Sequence, residues 1–117
     1  MPVTKYRVYV VELSKRVFTE NARFRAANPQ FNGVLECLYV GMTSKDPEER
    51  FKQHKTRYIS KKGYNISSAL VWKYGHYLRP SLYTHINENP MSRKEALLME
   101  EKLALDLRRQ GYAVWFN

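Results

Sequence analysis

The chain has 117 residues and a mass of 13.9 kDa, with 20 Lys plus Arg against 11 Asp plus Glu, a formal charge of +9. That length allows one domain, and 44% hydrophobic with 14% aromatic residues is not the composition of a disordered tail. The single cysteine, Cys37, excludes a disulfide framework, a CxxC redox pair and a cysteine-based zinc site. The opening MPVTKYRVYVVEL has no leader-like apolar stretch, and no run approaches the roughly 18 apolar residues that span a bilayer. The expectation is a soluble, cytoplasmic protein with no membrane partner, and the charge calls for an anionic partner, nucleic acid first.

In chain order, Tyr6 to Leu13 is rich in β-branched and aromatic residues and predicts a strand. A second strand is expected from Leu35 to Met42, ended by Gly41 and a Thr/Ser pair. Between them lies an arm carrying Lys15, Arg16, Arg23 and Arg25 against Glu20, read as an enlarged hairpin connection closed by Asn32-Gly33. A helix starts at Asp46, which can accept orphan amide protons. Pro47 suits the first helical position, and Glu49 completes a D-x-x-E capping box. It is expected to run to about Tyr58 and to be broken at Lys61-Lys62-Gly63, with a shorter helix from Ser67 to Tyr74 stopped by Gly75. Leu78 to Ile86 contains Pro80 and is at best an edge strand.

The last helix is the best marked. Ser92 and Glu95 form a capping box, EALLMEEKLALDLRRQ is nearly all strong helix formers, and Arg108 and Arg109 complement the dipole before Gly111. YAVWFN then reads as a short strand. Strands joined by a hairpin arm, with helices after them, favour an antiparallel α+β domain over a doubly wound parallel sheet.

The charge is unevenly placed. From Arg50 to Asn87 there are eight cations (Arg50, Lys52, Lys55, Arg57, Lys61, Lys62, Lys73, Arg79), all three histidines and no acid. Phe51, Tyr58, Tyr64, Trp72, Tyr74, Tyr77 and Tyr83 are interleaved with them. Charge runs are usually solvated faces, and aromatics usually core. Interleaved, they suit a surface that tracks phosphates and stacks bases.

On a wheel of about 100° per residue with Ala96 at zero, Met99, Leu103 and Leu107 fall within roughly 60°, Glu100 at about 40° and Glu101 at about 140°. Glu100 therefore sits inside the apolar stripe, where a carboxylate is costly unless an arginine or a metal ion pairs it. Leu98 and Leu105 make a second stripe that could meet a partner. Arg50 and His54, four apart, share a helix face with the packed side marked by Phe51 and Tyr58. Each feature alone has a structural explanation: an internal Glu–Arg pair, a solvated basic helix, strand tyrosines in the core.

Taken in order, however, Arg-Val-Tyr (7–9), Tyr-Val-Gly (39–41), GMTSKDPEERFKQH with Arg50, EALLME with Glu100, and Asn117 after Trp115-Phe116 make a more specific set. This set resembles the GIY-YIG nuclease family along nearly the whole chain. Arg7 stands in place of the first glycine, the gap from Tyr9 to Tyr39 is longer than the family's hairpin, and Asn117 lies 17 residues after Glu100. The resemblance implies an α+β fold with a small three-stranded, mainly antiparallel sheet flanked by helices. It further implies a DNA endonuclease using a single Mg2+ (or Mn2+) held by Glu100. In that scheme Tyr9 is the general base, Tyr39 positions water or substrate, Arg50 meets the scissile phosphate, and His54 is an alternative base or phosphate contact. Gly41 and Asn117 support the site.

The chemistry is coherent with these residue types. A planar guanidinium fits phosphate oxygens, and magnesium is commonly held by one or two carboxylates plus phosphate and water. A phenol with an ordinary pKa near 10 needs help to act as a base at neutral pH. Arg50, Lys52, Lys55, Arg57, Lys61 and Lys62 are the expected DNA contacts, with specificity left to the arm, a homo-oligomer or a separate targeting partner. A catalytically inactive nucleic-acid-binding module on the same fold is the alternative.

Overall fold

The computed structural model describes residues 5–55, 66–88 and 91–116, and of 53, 54 and 66–69 the backbone alone. Its architecture is α+β, built on a mixed sheet of four strands in the order β3-β1-β2-β4. The expected count of three strands is corrected to four. β1 (Arg7–Leu13) and β2 (Cys37–Thr43) pair antiparallel, with Tyr9 opposite Gly41 and Val11 opposite Tyr39. β3 (Gly75–Leu78) adds antiparallel to the outer edge of β1, and β4 (Ala113–Phe116) adds parallel to β2. The strand predicted over 78–86 is thus displaced toward the N-terminus. The glycine expected only to stop the preceding helix begins β3, and the Pro80 segment forms a short 3-10 turn over Pro80–Leu82 instead. Proline cannot donate to a ladder, so the strand ends before it.

The arm is not an open loop. It contains α1 (Arg16–Glu20) and α2 (Ala22–Ala27), with Asn21 between them accepting a hydrogen bond from the Phe24 amide at 2.9 Å. Val17 and Phe24 are fully buried in the main core, so the arm is part of the domain's interior. Its cations are largely engaged at home. Arg25 donates to the carbonyls of Phe18 and Thr19, Arg16 pairs with Glu20, and Lys15 donates to the carbonyls of Gly33 and Val34.

α3 (Pro47–Lys55) starts as expected, with Asp46 accepting from the Glu48 amide at 3.1 Å. Its expected end near Tyr58 and the break at Lys61-Lys62-Gly63 lie outside the described residues. α4 (Ile66–Tyr74) runs directly into β3. α5 (Arg93–Gln110) has both halves of the Ser92/Glu95 capping box, and Gly111 closes it at φ 113°, a conformation that glycine alone adopts cheaply. This helix packs against β1, β2 and β4, burying Ala96, Glu100, Leu103, Ala104 and Leu107. Glu100 therefore lies on the buried stripe, while Leu98 and Leu105 are exposed. No helix among the described residues is long and apolar enough to cross a membrane.

Candidate active site

Residues directly opposite in a ladder share a face of the sheet, and alternate residues of one strand do too. The pairs Tyr9–Gly41 and Val11–Tyr39 therefore put Tyr9, Tyr39 and Gly41 on one face of the β1/β2 hairpin. The two rings are diagonal neighbours, 6.0 Å between centroids and tilted by 53°. Both are buried, with 1% and 2% of their surface exposed.

Gly41 makes this closeness possible. A Cβ at position 41 would stand 2.7 Å from both Cζ and the hydroxyl of Tyr9, and 2.9 Å from Cε1 of Tyr39. The end of the Tyr9 ring thus lies over the bare Cα of its cross-strand partner. Glycine's φ is not the issue here; the need is for space.

α3 supplies the cation. The Tyr9 hydroxyl accepts a hydrogen bond from the Arg50 guanidinium and shares one with the Tyr39 hydroxyl. Arg50 is only half-buried, so it joins the sealed phenols to the surface. The Tyr9 phenol is held well above its usual pKa, first by burial and then by Tyr39; Arg50 pulls the other way without prevailing. The tyrosine expected to serve as a base is accordingly neutral in this state of the protein.

Glu100 is 1% exposed on the stripe that α5 turns to the sheet. A hard divalent cation such as Mg2+ or Mn2+ takes oxygen ligands, and a carboxylate is chemically suited to one. Among the described residues no three His, Cys, Asp or Glu side chains gather to hold a metal. Glu100 would be the one carboxylate holding such an ion, with substrate and water oxygens as its other ligands.

The remaining expected residues divide. Lys52 is exposed on α3 and open to a phosphate. Lys55 donates to the carbonyls of Trp72 and Gly75 at 3.2 and 2.7 Å, tying the end of α3 to the α4–β3 junction. Its expected role as a DNA contact thus competes with a structural one. The side chain of His54, and Arg57, Lys61, Lys62 and Asn117 altogether, lie outside the described residues.

Two asparagines that the sequence reading did not single out turn out to brace the sheet's backbone. The Asn28 side chain, fully buried, accepts from the Val114 amide at 2.7 Å and donates to the Phe24 carbonyl at 2.8 Å. Asn87 accepts from the Val8 amide at 3.0 Å and donates to the Val8 carbonyl at 2.9 Å. The strand residues they brace, Val114 and Val8, lie about eighty residues away along the chain, so no local pattern could have announced either bond. Comparison of the chain with protein families, with curated proteins and with solved structures finds no match.

Proposed function

We propose that this protein is a metal-dependent endonuclease that hydrolyses phosphodiester bonds in DNA. The observation that carries the reading is the meeting of Tyr9, Tyr39 and the Arg50 guanidinium over Gly41. Phenols hydrogen-bonded to a half-exposed arginine have little to offer the core. They suit a site in which a phosphate is held by the guanidinium and a proton is moved beside it. The net charge of +9 and the exposed cation on α3 supply the attraction that brings a polyanion there.

In this mechanism Arg50 holds a non-bridging phosphate oxygen and stabilises the charge that grows on it. Tyr9, once its own proton has passed to solvent, takes a proton from the attacking water. Tyr39, hydrogen-bonded to Tyr9, keeps that phenol's orientation and can position the water. Glu100 would hold a Mg2+ or Mn2+ ion, which would supply Lewis-acid stabilisation of the leaving oxygen. Placing Tyr9 beside Arg50 opposes the effect of burial on its proton, and docking of a scissile phosphate uses that same guanidinium.

A second reading draws on a specific observation. Tyr9 is sealed and its phenol strongly favours the neutral form. A nucleic-acid-binding module without hydrolytic activity would tolerate both. The two readings separate in one experiment: purified protein is mixed with plasmid, branched and single-stranded DNA, with magnesium and with EDTA. Cleavage that needs the metal supports the nuclease. Salt-dependent binding indifferent to EDTA, with no cut products, supports the module.

A further inference from the structure

The outer edge of β1 is closed by a sequence of unlike partners. β3 pairs with it only from Val11 onward, and the Arg79 amide donates to the Val10 carbonyl at 2.8 Å. At the other end the Tyr6 amide donates to the Met91 carbonyl at 2.8 Å. Val8 lies between these contacts, and among the described residues no strand pairs with its outer side. The Asn87 side chain fills that gap, bonding both the N–H and the C=O of Val8 as a neighbouring strand would.

Strand alternation turns the peptide groups of Val8 outward and those of Tyr9 toward β2. Tyr9 is therefore fixed on one side by its pairing with Gly41 and on the other through the peptide it shares with Val8. The tip of its ring packs closely against position 41, where a Cβ would stand 2.7 Å from Cζ. Asn87 lies in a 3-10 turn, Ile86–Glu88, outside β1 and β3 and between the turn over Pro80–Leu82 and α5, and its side chain meets β1 at Val8.

Building on the endonuclease reading, we propose that Asn87 is a positioning residue for Tyr9: its amide acts as a one-residue surrogate strand that sets where the Tyr9 hydroxyl stands relative to Arg50 and Tyr39. Asn87 touches no substrate. It acts through the β1 backbone, and its two bonds require both the acceptor and the donor of an amide.

The test compares the wild-type chain with Asn87→Ala and Asn87→Asp, and one of its readouts is independent of cleavage. The Hα resonances of Gly41 lie under the Tyr9 ring and report its position through the ring current. Asn87→Ala is expected to speed hydrogen exchange at the Val8 amide, to move the Gly41 Hα resonances, and to lower kcat about ten- to a hundredfold with KM unchanged. Asn87→Asp keeps the acceptor for the Val8 amide and loses the donor, so it is expected to fall between alanine and wild type. It carries the same readouts should the alanine variant not fold. Unmoved Gly41 resonances in a variant with a deprotected Val8 amide overturn the proposal, as does an unchanged kcat where the wild type cuts. Should the wild type cut no DNA, the endonuclease reading fails, and the Gly41 resonances alone decide whether Asn87 positions Tyr9.

Discussion

The arm and the tyrosine cluster both bury polar side chains, and they do so to opposite ends. In the arm, Asn28 is wholly enclosed and both of its functional groups are taken by backbone, at Phe24 and Val114. Asn28 and its partners do not titrate, and the outer edge of β4 is held closed, helped by Arg108, which donates to the Val114 carbonyl at 2.8 Å. In the cluster, the buried groups are titratable and engage one another and a cation that reaches the surface. A buried amide bonded to main chain is explained by the fold alone. Phenols and a guanidinium brought together across a glycine are the groups that the proposed hydrolysis would use.

Breaking each region should therefore have a different signature. The largest expected effect is on chemistry. Tyr9→Phe is expected to reduce metal-dependent cleavage by about 10²–10⁴-fold while changing stability by no more than about 1.5 kcal/mol. Arg50→Ala is expected to cost about 10²–10³-fold, measured as kcat on the same DNA. Next is the arm: Asn28→Ala leaves the Val114 amide and the Phe24 carbonyl without their partner and should cost about 2–3 kcal/mol in denaturant unfolding. Activity per folded molecule should stay at the wild-type level. Cleavage lost in proportion to folded protein would keep the two regions distinct; a kcat defect in Asn28→Ala would merge them.

Gly41→Ala sharpens the contrast from inside the site. The new methyl must push the Tyr9 ring away, at about 1–3 kcal/mol, and cleavage should fall more than stability does. The smallest and most diagnostic effect is in the pH profile. A base acts once its proton has left, and burial makes Tyr9 hold its proton above the ordinary phenol range. The cleavage rate should therefore climb with pH, about tenfold per unit through the neutral range, with no plateau below about pH 10. A plateau near pH 7 would instead assign the base to a histidine, His54 being the candidate on α3.

Much of this contrast can be read from the chain. β1, β2 and α5 are marked by β-branched runs and by the capping box, and the wheel correctly set Glu100 apart from Glu101. Tyr9, Tyr39 and Arg50 are legible as an ordered set; the antiparallel register that puts Tyr9 opposite Gly41 brings the two tyrosines together, and the packing of α3 on β1 adds Arg50. The arm was not legible. α1 and α2 are five and six residues long, too short for a helical period to show, and tertiary burial of Val17 and Phe24 holds them. β3 is four residues, and its pairing with β1 is set by contacts more than sixty residues apart. The parallel docking of β4 depends on the direction in which α5 returns the chain, which no local pattern records.

The most direct test of the central claim is a magnesium-dependent cleavage assay on several DNA forms with wild type and Glu100→Gln side by side. The variant keeps the shape of the buried side chain and removes the carboxylate that would hold the ion. The account predicts cut products for the wild type with magnesium or manganese, none with EDTA, and none for Glu100→Gln of unchanged fold. Cleavage by Glu100→Gln at the wild-type rate, or no cleavage by the wild type of any DNA form with either metal, would contradict it.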